Sequence, residues 1–471
     1  MPELAIHPTS IDGLLVVELP VPADARGWFK ENWQRAKMTA LGLPDFGPVQ
    51  NNMSFNTSAG ATRGLHAEPW DKLVSVATGR VFAAWADLRA GSATYGRVVT
   101  LDMGPDKAVF VPRGVANGYQ AQVDGTVYSY LVNEHWSPSA RASYTYVNLA
   151  DPELGIAWPI PLDQAEISDA DRRHPLLADV VAMKPKTTVI IGAGGQLGLE
   201  LARQLPDAIA IPQSELDLNF PEQVAAYDWA SVGVVLNAAA FTAVDLAETT
   251  QGRADCWATN VTALHRLVEV CRQHRIKLVH VSSDYVFDGT RAPHTEDEPF
   301  SPLGVYGQTK AAGDELVATL PDYLITRASW VVGKGHNFVK TMEQLARRGV
   351  RPSVVDDQDG RLTFTRDLAA AIIHLVRTGA PSGVYNVSND GPVLSWCQIA
   401  KRVFELCGRD PDDVTPVSTD DYSAGQEHVS PRPEHSALRL DKLKAAGFQP
   451  ALMDDRLVEY VAALLAPEAG A

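Results

Sequence analysis

Tyr306 and Lys310 stand four residues apart in VYGQTKAAGDEL (305–316). On a helix, four residues advance by roughly 400°, so the two side chains share a face. An ammonium beside a phenol stabilises the phenolate and draws the tyrosine down from about 10 toward neutrality. Upstream, HVSSDYVFDG (280–289) reads as a strand ending in small hydroxyls. Ser283 there can hydrogen-bond the same carbonyl oxygen that the phenol protonates. The set suits reduction of a ketone, with hydride arriving from a nicotinamide. An isolated Tyr-x-x-x-Lys more often means a surface tyrosine and a solvated lysine. The glycines ahead of it reverse that weighting. In KTTVIIGAGGQLGLELARQL (186–205), Gly192, Gly195 and Gly198 follow a strand pattern and open a helical one. The first permits a tight turn, the second admits a pyrophosphate to the backbone, and the third allows close helix–strand packing.

A second polar group lies in TRGLHAEPWDKLVSV (62–76), where Arg63, His66 and Lys72 fall within ten residues. On a strand Lys72 and Val74 share one face and Leu73 takes the other. Apolar neighbours surround this charged cluster, which points it into a cavity. DARGWFKE (24–31), VQNN (49–52) and SDADRRHP (168–175) could join it. Taken singly, each has an ordinary reading: a satisfied structural histidine, or a turn. A metal site needs several histidines and an acid converging. This region holds His7, His66, His135 and His174 with no His-x-His pair, so no metal is expected.

The elements that must position these groups differ between the halves. Residues 1–175 alternate in short Val-, Tyr-, Phe- and Trp-rich runs with Gly or Pro between them, the pattern of an antiparallel sandwich or barrel. NWQRAKMTALG (32–42) is the best helical candidate there. From residue 187 buried-strand runs alternate with helical segments, which implies a doubly wound parallel sheet. One of them, NVTALHRLVEVCRQH (260–274), places Val261, Leu264, Leu267, Val268 and Cys271 on one face. The expected domains are 1–180 and 187–471, joined by the Lys/Pro linker VVAMKPKTT (180–188).

At 471 residues the chain exceeds one core, and 45% hydrophobic with 21% charged residues is a globular composition. A net charge of −16 without a local Lys/Arg cluster argues against nucleic acid. No run spans a bilayer, the start shows no signal peptide, and the four cysteines lack CxxC spacing. A cytoplasmic protein is expected.

Residues 187–465 resemble the extended short-chain dehydrogenase/reductases, and within them the dTDP-4-dehydrorhamnose reductases. The motifs are GQLGLEL, LNAAAFTAVDLAE, SSDYVFDG, SPLGVYGQTKAAGDE, RASWVVGKGHNF, DDQDGRLTF and RPEHSALRLDKL. The resemblance implies a Rossmann fold and a Ser283–Tyr306–Lys310 trio. Beside Gly192, Gly198, Tyr306 and Lys310, it has Gly195, Gln196, Leu197, Asp217, Leu218, Ala240 and Thr242 line the cofactor. Ser283, Asp284 and Trp330 would face a deoxysugar nucleotide. Two departures stand out. Leu362 replaces the family's proline in DQDGRLT, and AIAIPQSELDL (208–218) offers neither an acid for a ribose 2′-hydroxyl nor an arginine for a 2′-phosphate. NADPH is expected, with NADH tolerated.

Residues 5–178 resemble the dTDP-4-dehydrorhamnose 3,5-epimerases through DARGWFKE, VQNNMS, TRGLH, FVPRGVANGY, YSYLVNEHWSP and ISDADRRHPLL. That family has a cupin-like jelly roll and uses no metal or cofactor. The resemblance makes His66 the base beside a ketone, Asp171 its orienting partner and Lys72 the support of the enolate oxygen. Tyr130 would return the proton from the other face. Arg26, Glu31, Gln50, Asn51, Asn52 and Arg63 would hold a thymidine diphosphate, with Asn117 also at the substrate. Asn117 stands where many members carry histidine, LHAE replaces LHFQ, and Arg141 replaces the glutamate after Ser-Pro.

An epimerase product with a 4-keto group is the reductase's substrate. The joint reading is a bifunctional homodimer making dTDP-L-rhamnose from dTDP-4-dehydro-6-deoxy-D-glucose. The alternatives are a pair acting on another nucleotide-linked 4-keto-6-deoxy sugar, or a non-catalytic regulatory subunit that binds a sugar nucleotide or NADP.

Overall fold

In KLVSVAT (Lys72–Thr78) successive side chains point to opposite faces of a strand, and both faces find apolar partners. Val74 and Val76 pack with Trp85, Val109, Tyr119 and Tyr128. Leu73 packs instead with Val17, Phe46 and Phe110. The computed structural model describes residues 3–466 and builds this alternation into a two-sheet sandwich. One sheet runs Ala5–Pro8, Leu15–Glu18, Lys107–Val111, Lys72–Thr78, Thr126–Val132 and Gln50–Asn56. The other runs Thr145–Tyr146, Ala61–Ala67, Val115–Ala121, Val81–Asp87 and Val98–Met103, with Glu166–Ile167 also beside Ala61–Ala67. This is the cupin-like jelly roll. Helix Arg35–Ala40, capped by the Gln34 side chain, lays Met38 on the outer face of the first sheet. Val147, Leu149 and Leu154 close the outer face of the second against Ala84 and Ala86.

One irregularity matters for chemistry. Residues three apart face opposite sides of a regular strand. Between Ala61–Ala67 and Val115–Ala121 the register slips, with His66 opposite Asn117 but Arg63 opposite Tyr119. Gly64 permits the slip, because a Cβ there would lie 2.6 Å from Gly118 Cα and its φ is +115°. Arg63 and His66 therefore line the same cavity.

The chain divides into two compact units between Pro185 and Lys186. In the second, six parallel strands run in the order Ile209–Ile211, Thr187–Ile191, Val232–Asn237, Lys277–Ser283, Tyr323–Ala328 and Gly383–Val387. Val189, Ile191, Val235 and Leu278 pack under helices Leu264–His274 and Val305–Ala318. Their strand neighbours Ile190, Leu236, Val279 and Leu324 pack under Gln196–Gln204 and Thr365–Arg377. This is a Rossmann sheet with both faces covered. A third core joins helices Phe338–Arg347, Trp396–Leu406 and Met453–Leu465.

The expected helical face of 260–274 needs one correction. Leu264, Leu267, Val268 and Cys271 are buried together, but Val261 is only half-buried. Residues Ala258–Ala263 wind as a π turn, which advances the face by one residue and buries Asn260 and Ala263 instead.

Candidate active sites

In the first unit a cavity of about 840 Å³ lies between the sheets, lined by Arg63, His66, Lys72, Asn117, Tyr130 and Asp171. His66 Nε2 is 2.8 Å from Asp171 Oδ1. Asp171 sits on the four-residue helix Asp169–Arg172, whose Ser168 cap accepts the Asp171 N–H. Burial works to raise this carboxyl. The His66 hydrogen bond and charge, the Gly64 N–H and nearby His174 outweigh it and hold Asp171 below the ordinary carboxylate range. The pair sets an imidazole nitrogen against a mostly buried carboxylate at the cavity wall. Lys72, 3% exposed, points inward and pairs with Glu68 at 3.1 Å. Burial, then the Glu68 charge, push the Tyr130 phenol up, so it carries a proton to give.

In the second unit a cavity of about 360 Å³ lies where the strand order reverses, between the ends of Thr187–Ile191 and Val232–Asn237. Gly192, Gly195, Asp217, Leu218 and Ala240 line it. A Cβ on Gly192 would meet Ala239 N at 2.6 Å, and one on Gly198 would meet Gly192 O at 2.2 Å. Only glycine fits at these two positions, and helix Gln196–Gln204 starts on the cradle with Gly195 as its cap. These residues fit a dinucleotide. Gly198 and Leu197 support the cradle from beneath. Gln196 turns its amide to His336 O, and Thr242 is exposed outside the cavity.

Ser283 ends strand Lys277–Ser283 and donates to Asp284 Oδ1 at 2.8 Å. The Tyr306 ring meets Tyr285 edge-on, and the nearby Ser283 hydroxyl acts to lower its phenol. Lys310 is fully buried one helical turn on. Its Nζ donates to Val281 O at 2.7 Å and lies 3.1 Å from His280 Nε2. The expected lowering of Tyr306 is corrected here. Burial, and then the Asp284 charge, push the phenol above its ordinary value despite the Ser283 hydroxyl. Burial also drives Lys310 down to about 8 and Asp284 up to about 6. Tyr306 thus keeps its phenolic proton. Trp330, at φ +44°, stacks on Trp396 with ring centroids 3.7 Å apart.

Residues 8–179 match the family model of dTDP-4-dehydrorhamnose 3,5-epimerase, and residues 186–466 match that of the RmlD substrate binding domain. The first unit is 51% identical over 181 residues to a Streptococcus pyogenes protein named RmlC homolog, covering 37% of this chain and 90% of that protein. The second is 38% identical over 285 residues to dTDP-4-dehydrorhamnose reductase of Mycobacterium tuberculosis, covering 57% of this chain and 90% of that one. The chain belongs to both families. A solved Bacillus anthracis dTDP-4-dehydrorhamnose reductase, in complex with NADP, superposes with a TM-score of 0.54 at 32% identity. That match covers 59% of this chain and 99% of the other.

In the epimerase unit, five expected nucleotide contacts do not line the cavity. Arg26, in an exposed hairpin, pairs with Asp24 at 2.5 Å, and Glu31 pairs with Lys37 at 2.6 Å. Gln50, Asn51 and Asn52 lie on the edge strand Gln50–Asn56, where Gln50 bonds Asn52 and Asn51 accepts from Ser129. The cavity takes other residues in their place. Arg141, one of the departures, lines it, as do Glu68, Tyr146 and His174. His174 stacks on Tyr146 and reaches Asp171 at 3.8 Å. Burial and then His66 hold its ring below the ordinary value. It lies in the quoted SDADRRHP, three residues past Asp171, so a helical spacing was its signal. Among the described residues His66, Asp171 and His174 form the one group with metal-ligand atoms within 4.8 Å of one another.

In the reductase unit, sequence reasoning missed Asn260 and His280. Asn260 clamps Phe241 through both backbone groups and reaches Thr309. Its signal was the same face of the helix, obscured by the π turn. Among the described residues no helix is long and apolar enough to cross a membrane, and the four cysteines are unpaired.

Proposed function

We propose that this one chain performs two successive steps on a 4-keto sugar nucleotide. The epimerase unit inverts carbons 3 and 5 of dTDP-4-dehydro-6-deoxy-D-glucose, and the reductase unit reduces the 4-keto group to give dTDP-L-rhamnose. The observation that carries this reading is the His66–Asp171 pair at 2.8 Å facing a cavity that also holds Lys72 and Tyr130. The chain that contains it also holds a Ser283–Tyr306–Lys310 set beside a glycine cradle.

In the first step His66 takes the proton beside the ketone, and Asp171 steadies the imidazolium that forms. Negative charge moves to the carbonyl oxygen, where Lys72 supplies fixed positive charge. Tyr130 returns a proton to the opposite face. Arg63 and Arg141 are the cavity cations for the diphosphate. In the second step NADPH, when bound on the glycine cradle, supplies hydride to carbon 4. Ser283 holds the carbonyl oxygen, Tyr306 delivers its proton there, and Asp284 and Trp330 position the sugar. NADH is tolerated, since the segment Pro212–Leu218 after Ile209–Ile211 offers no arginine for a 2′-phosphate. Unpaired cysteines suit a reducing, cytoplasmic setting.

We also propose a homodimer formed through the epimerase sheets. Met53 and Phe55 are 67% and 63% exposed on the edge strand Gln50–Asn56. Light scattering that gives a monomer would end that proposal.

The deciding experiment supplies the 4-keto sugar nucleotide in deuterated water, with and without NADPH. Solvent deuterium at carbons 3 and 5 is expected in both cases, and dTDP-L-rhamnose only with NADPH. Tyr306→Phe should spare exchange and stop reduction. Exchange that needs NADPH would separate these residues from the roles given.

A further inference from the structure

His280 is a buried histidine to which the reductase chemistry assigns no part. It is 2% exposed, yet both ring nitrogens are engaged. Nδ1 lies 3.2 Å from Asn237 Nδ2, and Nε2 lies 3.1 Å from Lys310 Nζ. Burial, then the Lys310 charge, hold the ring far below its ordinary value, so it is neutral and carries one N–H. Which nitrogen bears that hydrogen is decided two bonds away. The backbone N–H of Ala239 donates to Asn237 Oδ1 at 3.2 Å. A backbone N–H can only donate. Asn237 must therefore turn its oxygen to Ala239 and its NH₂ to His280. Nδ1 then accepts, Nε2 bears the hydrogen, and the ring directs an N–H at Lys310.

An ammonium has three donors and no acceptor, whereas a neutral amine has a lone pair. Only the neutral lysine can accept from this histidine. We propose that His280, oriented by Asn237 and Ala239, is a positioning residue that presents an N–H to Lys310 and so keeps the lysine's proton labile.

The other groups around Lys310 pull the opposite way or are neutral. Asp314, on the same helix, favours the ammonium, though Arg327 binds its carboxylate at 3.0 Å. Cys256 packs from helix Thr250–Trp257, where burial raises its thiol. Tyr306 is a raised phenol. The functional consequence rests on the reductase reading; the hydrogen-bond polarity does not. An ammonium at Lys310 balances the phenolate left when Tyr306 gives up its proton. Reduction then falls as pH rises through the Lys310 value, which burial sets near 8.

Two measurements test this. In the full chain labelled with ¹⁵N-histidine, long-range ¹H–¹⁵N correlation should show His280 with hydrogen on Nε2 and a bare Nδ1. Its signals are assigned by their loss in His280→Gln. Independently, His280→Gln offers Lys310 an amide oxygen. The high-pH limb of kcat for reduction should then move up by about one to two pH units. Asn237→Asp accepts from both Ala239 and Nδ1–H, which reverses the tautomer and moves the limb the same way with His280 kept. Hydrogen on Nδ1 in the unmodified protein overturns the proposal, as does a limb that stays or falls in both variants. If the unmodified chain does not reduce the ketone, the reductase reading fails, and the tautomer measurement still decides the role of His280.

Discussion

Glu68 Oε2 lies 3.1 Å from Lys72 Nζ inside the epimerase cavity. The cation assigned to the enolate oxygen is thus partly neutralised by a carboxylate four residues earlier, at the position where LHAE departs from the family motif. The same oxygen accepts from Trp70 Nε1 at 2.8 Å, a bond that an amide oxygen can also take. Glu68→Gln should therefore keep the fold and strengthen the field at the carbonyl. Deuterium exchange at carbons 3 and 5 is expected to quicken by about threefold to tenfold. Slower exchange would mean that the carboxylate is needed to aim Lys72.

His66 and Asp171 are 105 residues apart in sequence and joined by one hydrogen bond. His66→Gln removes the base and should cut exchange by about 10²- to 10⁴-fold. Asp171→Asn keeps an acceptor for the Gly64 N–H but loses the charge that steadies the imidazolium, so a smaller loss of about 10- to 100-fold is expected. In both variants, reduction of an already epimerised ketone should proceed at the parent rate. Loss of both activities would point to a global defect.

Asp284 gives a pH prediction for stability. Burial raises its folded value to about 6, above the ordinary carboxylate value near 3.8. The folded state therefore holds this proton more tightly than the unfolded state does. The contribution is full below about pH 4 and is lost as pH rises through 6, a swing of about 3 kcal/mol. Asp284→Asn cannot titrate. Urea unfolding at about pH 4 and about pH 7 should show the parent losing roughly that much more stability than the variant. An equal pH dependence in the two would show that ionising Asp284 is not what burial opposes.

The two architectures were legible, and Tyr306 and Lys310 could be placed on one helix, because these rest on local signals. Strand alternation, a glycine turn between strand and helix, and a four-residue helical spacing are all written in short stretches. What was not legible depends on pairing across the fold. Arg63 and His66 share a cavity only because Gly64 lets one strand slip against Gly118. Val261 left its expected face because a π turn changes the helical phase, which no composition signal marks. Tyr306 was expected to be lowered by Lys310. The expectation used spacing alone, and burial, which spacing does not report, dominates the phenol. Arg26 and Glu31 carry family motifs but satisfy their charges locally, on Asp24 and Lys37.

Leu362 replaces the family's proline, and the structure gives that residue a donor role a proline cannot perform and a buried site that a proline would fill less completely. Its N–H donates to Met453 Sδ at 3.2 Å. Its side chain is wholly buried with Val354, Phe364, Ile399 and Leu457. The same loop holds Trp330, the residue proposed to position the sugar, since Thr363 N–H donates to Trp330 O at 3.0 Å and Gly360 leaves room for the Trp330 ring. Leu362→Pro removes the donor, leaves a void in an apolar core, and forces Arg361 toward extended backbone. A loss of about 2–4 kcal/mol is expected, read as a lower midpoint in thermal or urea unfolding. Because Thr363 is the next residue, the KM for the sugar nucleotide in reduction should rise as well, while exchange in the epimerase unit stays at the parent rate. A variant as stable as the parent, with KM unchanged, would show that neither the sulfur contact nor the buried leucine holds this loop.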